Sequence, residues 1–383
     1  MTAAPPVRFS VPTLIGPEPQ AVADAIVSGH VASGGPHTQQ AEALIAARVG
    51  RSALFTSSCT DALLLAVMAL DLGEGDEVVV PGFTFVSTAL VVAVRGATPV
   101  FADIDERTLT LSPRSLEQHL TARTRAVITV HYGGDPGELQ SLRELTSARG
   151  IVLIEDAAHA YGGRYRGRAL GSIGDLGTLS FDHQKNLQCG EGGALLVDDP
   201  ELRARARVLR EKGTNRQAFL DGEVDKYTWV GLGGHHLPPD YVAAGLIPQL
   251  HDLAAIQQRR AAAWRRYANS LRQWAGDQGI VLAGESPDVD HSHHIFWMLL
   301  PTPEHRRSFT AWMAAAGITA PFHYPSLAHT PAGRRYGRTD GTPVSDSVAG
   351  RLVRLPLHHA LSETDLDRVI ERAIAWRPID EEQ

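Results

Sequence analysis

The sequence predicts an α/β protein in which a mostly parallel sheet lies between helices. Short β-branched runs alternate with helix-period segments from about residue 50 onward. The runs are apolar throughout rather than alternating, the mark of parallel strands buried on both faces. At 383 residues, 43% apolar and 21% charged, the chain is globular and long enough for two domains and an enclosed ligand.

The elements follow in order. "SALFTSS" (52–58) leads into the helical "TDALLLAVMALDL", and "DEVVVPGFTF" (76–85) into "VSTALVVAVRG". "TPVFADI" (98–104) precedes "SPRSLEQHLTARTR", "AVITVHY" (126–132) precedes "ELQSLRELTSARG", and "GIVLIEDAAHA" begins at 150. Residues 201–212 read as a helix, 213–239 as a Gly-rich loop, and 240–276 as one long helical stretch. A shorter α/β pattern closes the chain: strand "HIFWMLL" (294–300), helix 304–317, strand "ITAPFHY" (318–324) and a helix after "LSETD". A boundary near 250 is expected, with a large domain over 1–250, including an N-terminal arm, and a small C-terminal domain over 251–383. The 213–239 loop is too long for a passive connection and is expected to be functional or mobile.

Composition excludes several classes. Formal charge is −7 with no long single-sign run, and the Arg-rich stretches carry apolar residues at helical spacing, so nucleic acid is not expected as a partner. Two cysteines make no disulfide framework, the N-terminus is not a secretory signal, and "ALLLAVMAL" is far short of a membrane span. A cytoplasmic protein is expected. "HSHH" (291–294) and two other His pairs lack a ligand set with zinc spacing, so no metal is expected.

Ligands of open α/β sheets gather beyond the carboxyl ends of the strands, and three features fall there. "SSCTD" (57–61) places free amides and the Thr60 hydroxyl at a helix start near Thr60, a phosphate seat or a plain N-cap. Asp156 ends a buried strand and either needs a cationic partner or caps the next helix. Lys185 is one of only three lysines among 36 basic residues, so an ordinary surface cation would be written Arg here. A shielded lysine loses its proton readily and forms a Schiff base with an aldehyde, which Arg cannot do. A phosphate seat, an acid and an amine together suit pyridoxal phosphate. In "GEGG" (190–193) the glycines are expected to let the backbone turn closely around the cofactor.

"VVVPGFTFVSTA", "FADID", "IEDAAHAYGGRYRGRALGSIGDLGTLSF" and "KNLQCGEGGALLVDD" resemble the pyridoxal-phosphate-dependent nucleotide-sugar aminotransferases (DegT/StrS type) of aspartate-aminotransferase-like fold type I. "REKGTNRQAFLDGEVDKYTW" and "FHYPSLAHTPAG" are similar to the subgroup that aminates C4 of dTDP-4-keto-6-deoxy-D-glucose. The resemblance implies that Lys185 carries the aldehyde, Asp156 pairs with the pyridinium nitrogen and His159 lies near the ring hydroxyl. It further implies that Phe85 stacks on the ring and that Cys59, Thr60 and Ser180 hold the phosphate. Arg216, Lys226, Tyr227 and Trp229 would clamp the nucleotide diphosphate, with His323 and Tyr324 facing the sugar. The partners implied are a dTDP-keto-sugar, L-glutamate as amino donor, and a second copy of the chain in a homodimer with sites at the interface. One departure stands out: Leu237 replaces the Asn that many members extend toward the partner subunit's phosphate, and His235 or His236 would have to substitute. The family's dehydratase branch carries His at the lysine position, so Lys185 favours amino transfer. Another fold-type-I enzyme acting on amino acids, or a pyridoxal-phosphate-sensing regulator, is the alternative.

Overall fold

A computed structural model describes residues 5–286 and 288–378. Strands β1 (Ala53–Thr56), β2 (Glu77–Pro81), β3 (Thr98–Ala102), β4 (Thr124–Val130), β5 (Val152–Asp156), β8 (Leu176–Ser180) and β9 (Gly193–Leu196) form one seven-stranded sheet. Two short strands, β6 (Arg164–Tyr165) and β7 (Arg168–Ala169), pair beside it. The order is β1-β9-β8-β5-β4-β2-β3, parallel except where β9 pairs with β1 and β8. Because β9 is antiparallel to both neighbours, β1, β8, β5, β4 and β2 all end at the same edge. The site is built on that edge.

Helices α1 (Glu18–Val27), α2 (Pro36–Val49), α3 (Cys59–Ala69), α4 (Val86–Val94), α5 (Pro113–His119), α6 (Leu139–Ser147) and α7 (Pro200–Arg210) accompany the sheet. Their starts follow from capping chemistry: Ser58, Ser112 and Asp199 side chains each accept the amide three residues on. Leu54, Leu63, Val80, Ile128 and Ile154 pack on one sheet face, and Phe55, Val79, Val127 and Leu153 on the other. Burial on both faces explains why the strands read as unbroken apolar runs.

After β9 the sequence reading needs correction in three places. The 213–239 segment contains a short helix, α8 (Arg216–Leu220). The long stretch 240–276 is two helices, α9 (Asp240–His251) and α10 (Leu253–Asp277), which meet at Asp252; Pro248 lies inside α9. Residues 318–324 form no strand: Ile318 makes only an isolated bridge to Val7, and no neighbouring strand extends it. The antiparallel sheet of this region instead joins β10 (Val281–Leu282) to β12 (Phe296–Leu299) and β13 (Leu352–Leu355). A separate pair, β11 (Val289–Asp290), lies on β6. Around it lie α11 (Pro303–Ala315), α12 (Pro331–Tyr336), α13 (Pro343–Arg351) and α14 (Glu363–Ile374). Trp264, Tyr267, Leu271 and Trp274 of α10 pack with Phe296, Phe309 and Trp376 in its core, which the N-terminal Val7 joins.

Candidate active site

The start of α3 is the first part of the site. Ser58 caps it, its hydroxyl accepting from the Asp61 amide at 3.0 Å. The helix therefore begins at Cys59, one residue before the expected Thr60. Among the described residues the Cys59 and Thr60 amides have no hydrogen-bond partner, as the first turn of a helix requires. The Thr60 hydroxyl meets the Ser87 hydroxyl at 2.7 Å. Register brings Ser180 and Thr56 to either side of Gly193. A Cβ on Gly193 would lie 2.5 Å from the Cys59 nitrogen and the Ser58 carbonyl carbon. This glycine is thus needed for close approach to the α3 backbone.

Asp156 ends β5 and is 5% exposed. Its carboxylate accepts from the Ala158 amide and from the Thr88 hydroxyl, both at 3.2 Å, and the Cys59 thiol lies 3.9 Å away. Burial pushes this carboxyl above its usual value, against the Ala158 amide and the charge of Lys185. Burial likewise pushes the Cys59 thiol up, which makes it an inert wall rather than a nucleophile.

Lys185 lies in the turn between β8 and β9, partly buried, and among the described residues its Nζ makes no hydrogen bond. Burial lowers its proton affinity, while Asp182, Cys59 and Asp156 act in the opposite direction. An amine with a weakened hold on its proton, facing a buried acid, suits a nucleophile and proton carrier.

Histidines form the opposite wall. The His159 ring lies 4.3 Å from His294 and 6.0 Å from His323, the latter nearly parallel at 11°. The Gly133 amide donates to His159 Nδ1 at 3.3 Å, and His294 Nδ1 meets Asn186 at 2.9 Å. His323 Nδ1 meets the Tyr132 hydroxyl at 2.6 Å, and the Tyr324 ring stacks on His323 at 3.6 Å. Burial holds His159, His294 and His323 well below the ordinary imidazole value, so all three are neutral near pH 7. The unfolded chain protonates them at their ordinary value near 6.5, the folded protein only far below it. Stability is therefore complete above about pH 7 and falls as pH drops through 6.5, by about 1.4 kcal/mol per pH unit for each histidine. Thermal melts between pH 7.5 and 5.5 should show this slope; a flat midpoint would contradict neutral burial.

The sequence-named residues separate into two groups. Cys59, Thr60, Phe85, Asp156, His159, Ser180, Lys185, His323 and Tyr324 cluster at the sheet edge, with the half-exposed Phe85 ring 5.9 Å from Tyr324. Among the described residues Arg216, Lys226, Tyr227 and Trp229 make no hydrogen bond or ring contact with this cluster. Arg216 pairs with Glu211 at 3.4 Å, the Lys226 carbonyl accepts from Asn215, and Trp229 is 73% exposed. His236 Nδ1 meets Asp61 at 2.7 Å, so it braces the start of α3. Leu237 is buried.

Sequence reasoning missed Thr88, Ser87 and the pair beneath Asp156. In that pair His131 Nε2 meets Glu155 at 2.8 Å with both side chains fully buried. Against the burial penalty, the His131 hydrogen bond and the Gly171 and Gly174 amides hold the Glu155 carboxyl below its usual range. A charge inside the all-apolar "IVLIED" was the available signal, since it must find a partner. Among the described residues no group of His, Cys, Asp and Glu is arranged to hold a metal. His291 Nδ1 accepts from the His293 amide, and His293 is held by Glu285. No described helix is long and apolar enough to cross a membrane.

The model of the DegT/DnrJ/EryC1/StrS aminotransferase family matches residues 13–373. The chain belongs to that family. It is similar to a dTDP-4-dehydro-2,3,6-trideoxy-D-glucose 4-aminotransferase of Saccharopolyspora spinosa, at 34% identity over 95% of both chains. Among solved structures it is similar to DesV of S. venezuelae, captured with a ketimine intermediate, at 35% identity, 95% coverage of both chains and a TM-score of 0.87. It is also similar to the PLP-form of a sugar aminotransferase, Spr1654 of Streptococcus pneumoniae, at 28% identity, 96% and 97% coverage and a TM-score of 0.87. The protein is a sugar aminotransferase of the aspartate-aminotransferase-like type I fold, and its cofactor is pyridoxal phosphate. The residues present fit that group: among the described residues the first-turn amides of α3 are unpaired, the Lys185 amine makes no hydrogen bond and the buried Asp156 carboxylate makes no salt bridge.

Proposed function

We propose that the aminotransferase moves the amino group of L-glutamate onto a dTDP-linked 4-keto sugar, dTDP-4-keto-6-deoxy-D-glucose or a close relative. The reading is carried by one observation: a lone amine of lowered proton affinity at Lys185 faces the buried Asp156 at the edge where α3 begins. The similarity to a 4-aminotransferase of dTDP-sugars supports the substrate class.

Pyridoxal phosphate, when bound, supplies a sink for the electrons released as the donor's α-proton leaves. Asp156 holds the ring nitrogen cationic, and Thr88 fixes the carboxylate for that task. The amides of Cys59 and Thr60 and the hydroxyls of Thr60 and Ser180 hold the phosphate at the positive end of α3. Phe85 would cover one ring face, and His159, neutral and oriented by Gly133, would be the side chain near the ring hydroxyl. Lys185 takes the proton from the donor's α-carbon and returns it on the other side of the transfer. The sugar half-reaction uses the same amine in reverse order. His323 and Tyr324 line the sugar side.

Incubation with L-glutamate and a panel of dTDP-4-keto sugars, followed by NMR of the products, tests the reading. A 4-amino sugar is the expected product. Turnover of amino acids alone, with no keto sugar consumed, would replace it with an amino-acid enzyme.

A second copy of the chain completes the site. The apolar face of α4, with Val86, Leu90 and Val94 about half exposed or more, borders a groove of about 360 Å³ that reaches Tyr336. The exposed Trp229 and Leu232 of the 213–239 loop are the complementary apolar surface, and the clamp residues reach no site in their own protomer. Sedimentation should give a dimer at micromolar concentration, which Leu90→Glu weakens; a monomeric, fully active parent would refute this arrangement.

A further inference from the structure

Two histidines of the wall are held in opposite tautomers, each by a group whose part in a hydrogen bond is fixed. The Gly133 amide can only donate, so His159 Nδ1, which meets it at 3.3 Å, is bare and the ring proton sits on Nε2. Asn186, the residue after Lys185, sets the other ring. Its Nδ2 donates to the Ser292 carbonyl at 2.8 Å, which turns its amide oxygen toward His294 Nδ1 at 2.9 Å. An amide oxygen only accepts, so His294 carries its proton on Nδ1 and leaves Nε2 bare. Burial keeps both rings uncharged, and both residues are 6% exposed. At a centroid distance of 4.3 Å and a tilt of 33° the rings pack on one another without a hydrogen bond. Among the described residues neither Nε2 has a partner.

The wall thus offers a ligand one donor, His159 Nε2, and one acceptor, His294 Nε2, and the acceptor is set by the residue next to the reacting lysine. Most groups that enter this site can use only the donor. The keto oxygen of the sugar and the carboxylates of L-glutamate are themselves acceptors, and the amine of L-glutamate is taken up by the transfer. A sugar hydroxyl can use the acceptor. Of the two carbons beside the reacting C4, C5 carries the methyl group and the ring oxygen, and C3 carries a hydroxyl. An acceptor this close to the lysine in the chain of contacts therefore matches the hydroxyl at C3. A sugar without that hydroxyl would strip water from His294 Nε2 and give it no partner, the circumstance in which a site rejects an analogue most strongly.

We propose that His294 selects the substrate: its Nε2 accepts a hydrogen bond from the hydroxyl on the carbon next to the keto group, so that the sugar class is a 3-hydroxy-4-keto hexose and not a 3-deoxy one. This rests on the reading of the site as one for amino transfer to a dTDP-4-keto sugar. Asn186 holds the tautomer on which the selection depends.

The test supplies the holoenzyme with L-glutamate and, in turn, dTDP-4-keto-6-deoxy-D-glucose and its 3-deoxy analogue, dTDP-4-keto-3,6-dideoxy-D-glucose, and compares kcat/KM. The parent should prefer the 3-hydroxy sugar by about 10²-fold, the discrimination expected when a buried acceptor is left unpaired. His294→Phe keeps a ring against His159 and removes the acceptor, so the preference should collapse to about fivefold or less. A parent ratio below about threefold overturns the proposal, as does a His294→Phe variant that keeps the full preference. A loss just as large in the half-reaction with L-glutamate alone, followed by absorbance, would place His294 on the donor side and overturn it too. Should His294→Phe not fold, His294→Leu decides by the same ratio. A parent that aminates both sugars equally leaves the transfer standing and removes only the role of His294; one that aminates neither refutes the transfer itself and this assignment with it.

Discussion

Lys185→Ala folds and retains the cofactor site but transfers no amino group: turnover with L-glutamate and the keto sugar falls by at least about 10⁴-fold, because the variant loses both nucleophile and proton carrier. No neighbour replaces it. The three nearby histidines are neutral and packed against one another, and the Cys59 thiol is held protonated by burial. Lys185→Arg should be as inactive, which separates charge from chemistry, since a guanidinium does not give up its proton. Steady-state rates and borohydride fixation on residue 185 check the result. Turnover within tenfold of the parent in either variant would remove Lys185 from the mechanism.

Asp156→Asn has the second largest effect, a fall of about 10²–10³-fold in the rate of α-proton removal with cofactor binding retained. The carboxylate is buried and accepts from Ala158 and Thr88, and among the described residues it makes no salt bridge. An amide there keeps the volume and loses the charge that holds a ring nitrogen cationic. Single-turnover kinetics with glutamate deuterated at the α-carbon isolate the step, and the isotope effect should rise as that step becomes limiting. An unchanged rate would assign Asp156 to capping alone.

The two predictions draw on residues legible in the sequence, but the environment that makes them effective was not. Lys185 was conspicuous because this chain otherwise uses arginine, and Asp156 because a carboxylate follows an apolar strand. Both signals are local. Thr88, 68 residues from Asp156, reaches it only because α4 runs back over the sheet edge. The Tyr132–His323 contact spans 191 residues, and the strand at Leu352–Leu355 is one that the sequence reading did not place at all. The strand expected at 318–324 failed for the same reason: strand formation needs a partner, which apolar spacing alone does not specify. The break at Asp252 was likewise hidden, because residues on both sides of it suit a helix.

By itself, then, the sequence determined the α/β alternation and the large, mostly parallel core, and it singled out the amine, the acid and the start of α3 as candidates. These depend on side-chain period, capping and the chemistry of single residues, all of which act over a few positions. Only the tertiary structure decided which hydroxyl steadies Asp156, that Gly193 lets its strand approach the start of α3, and that three histidines are neutral. The reason is physical: burial and proton affinity are set by whatever packs around a group, and in this fold those neighbours come from both ends of the chain.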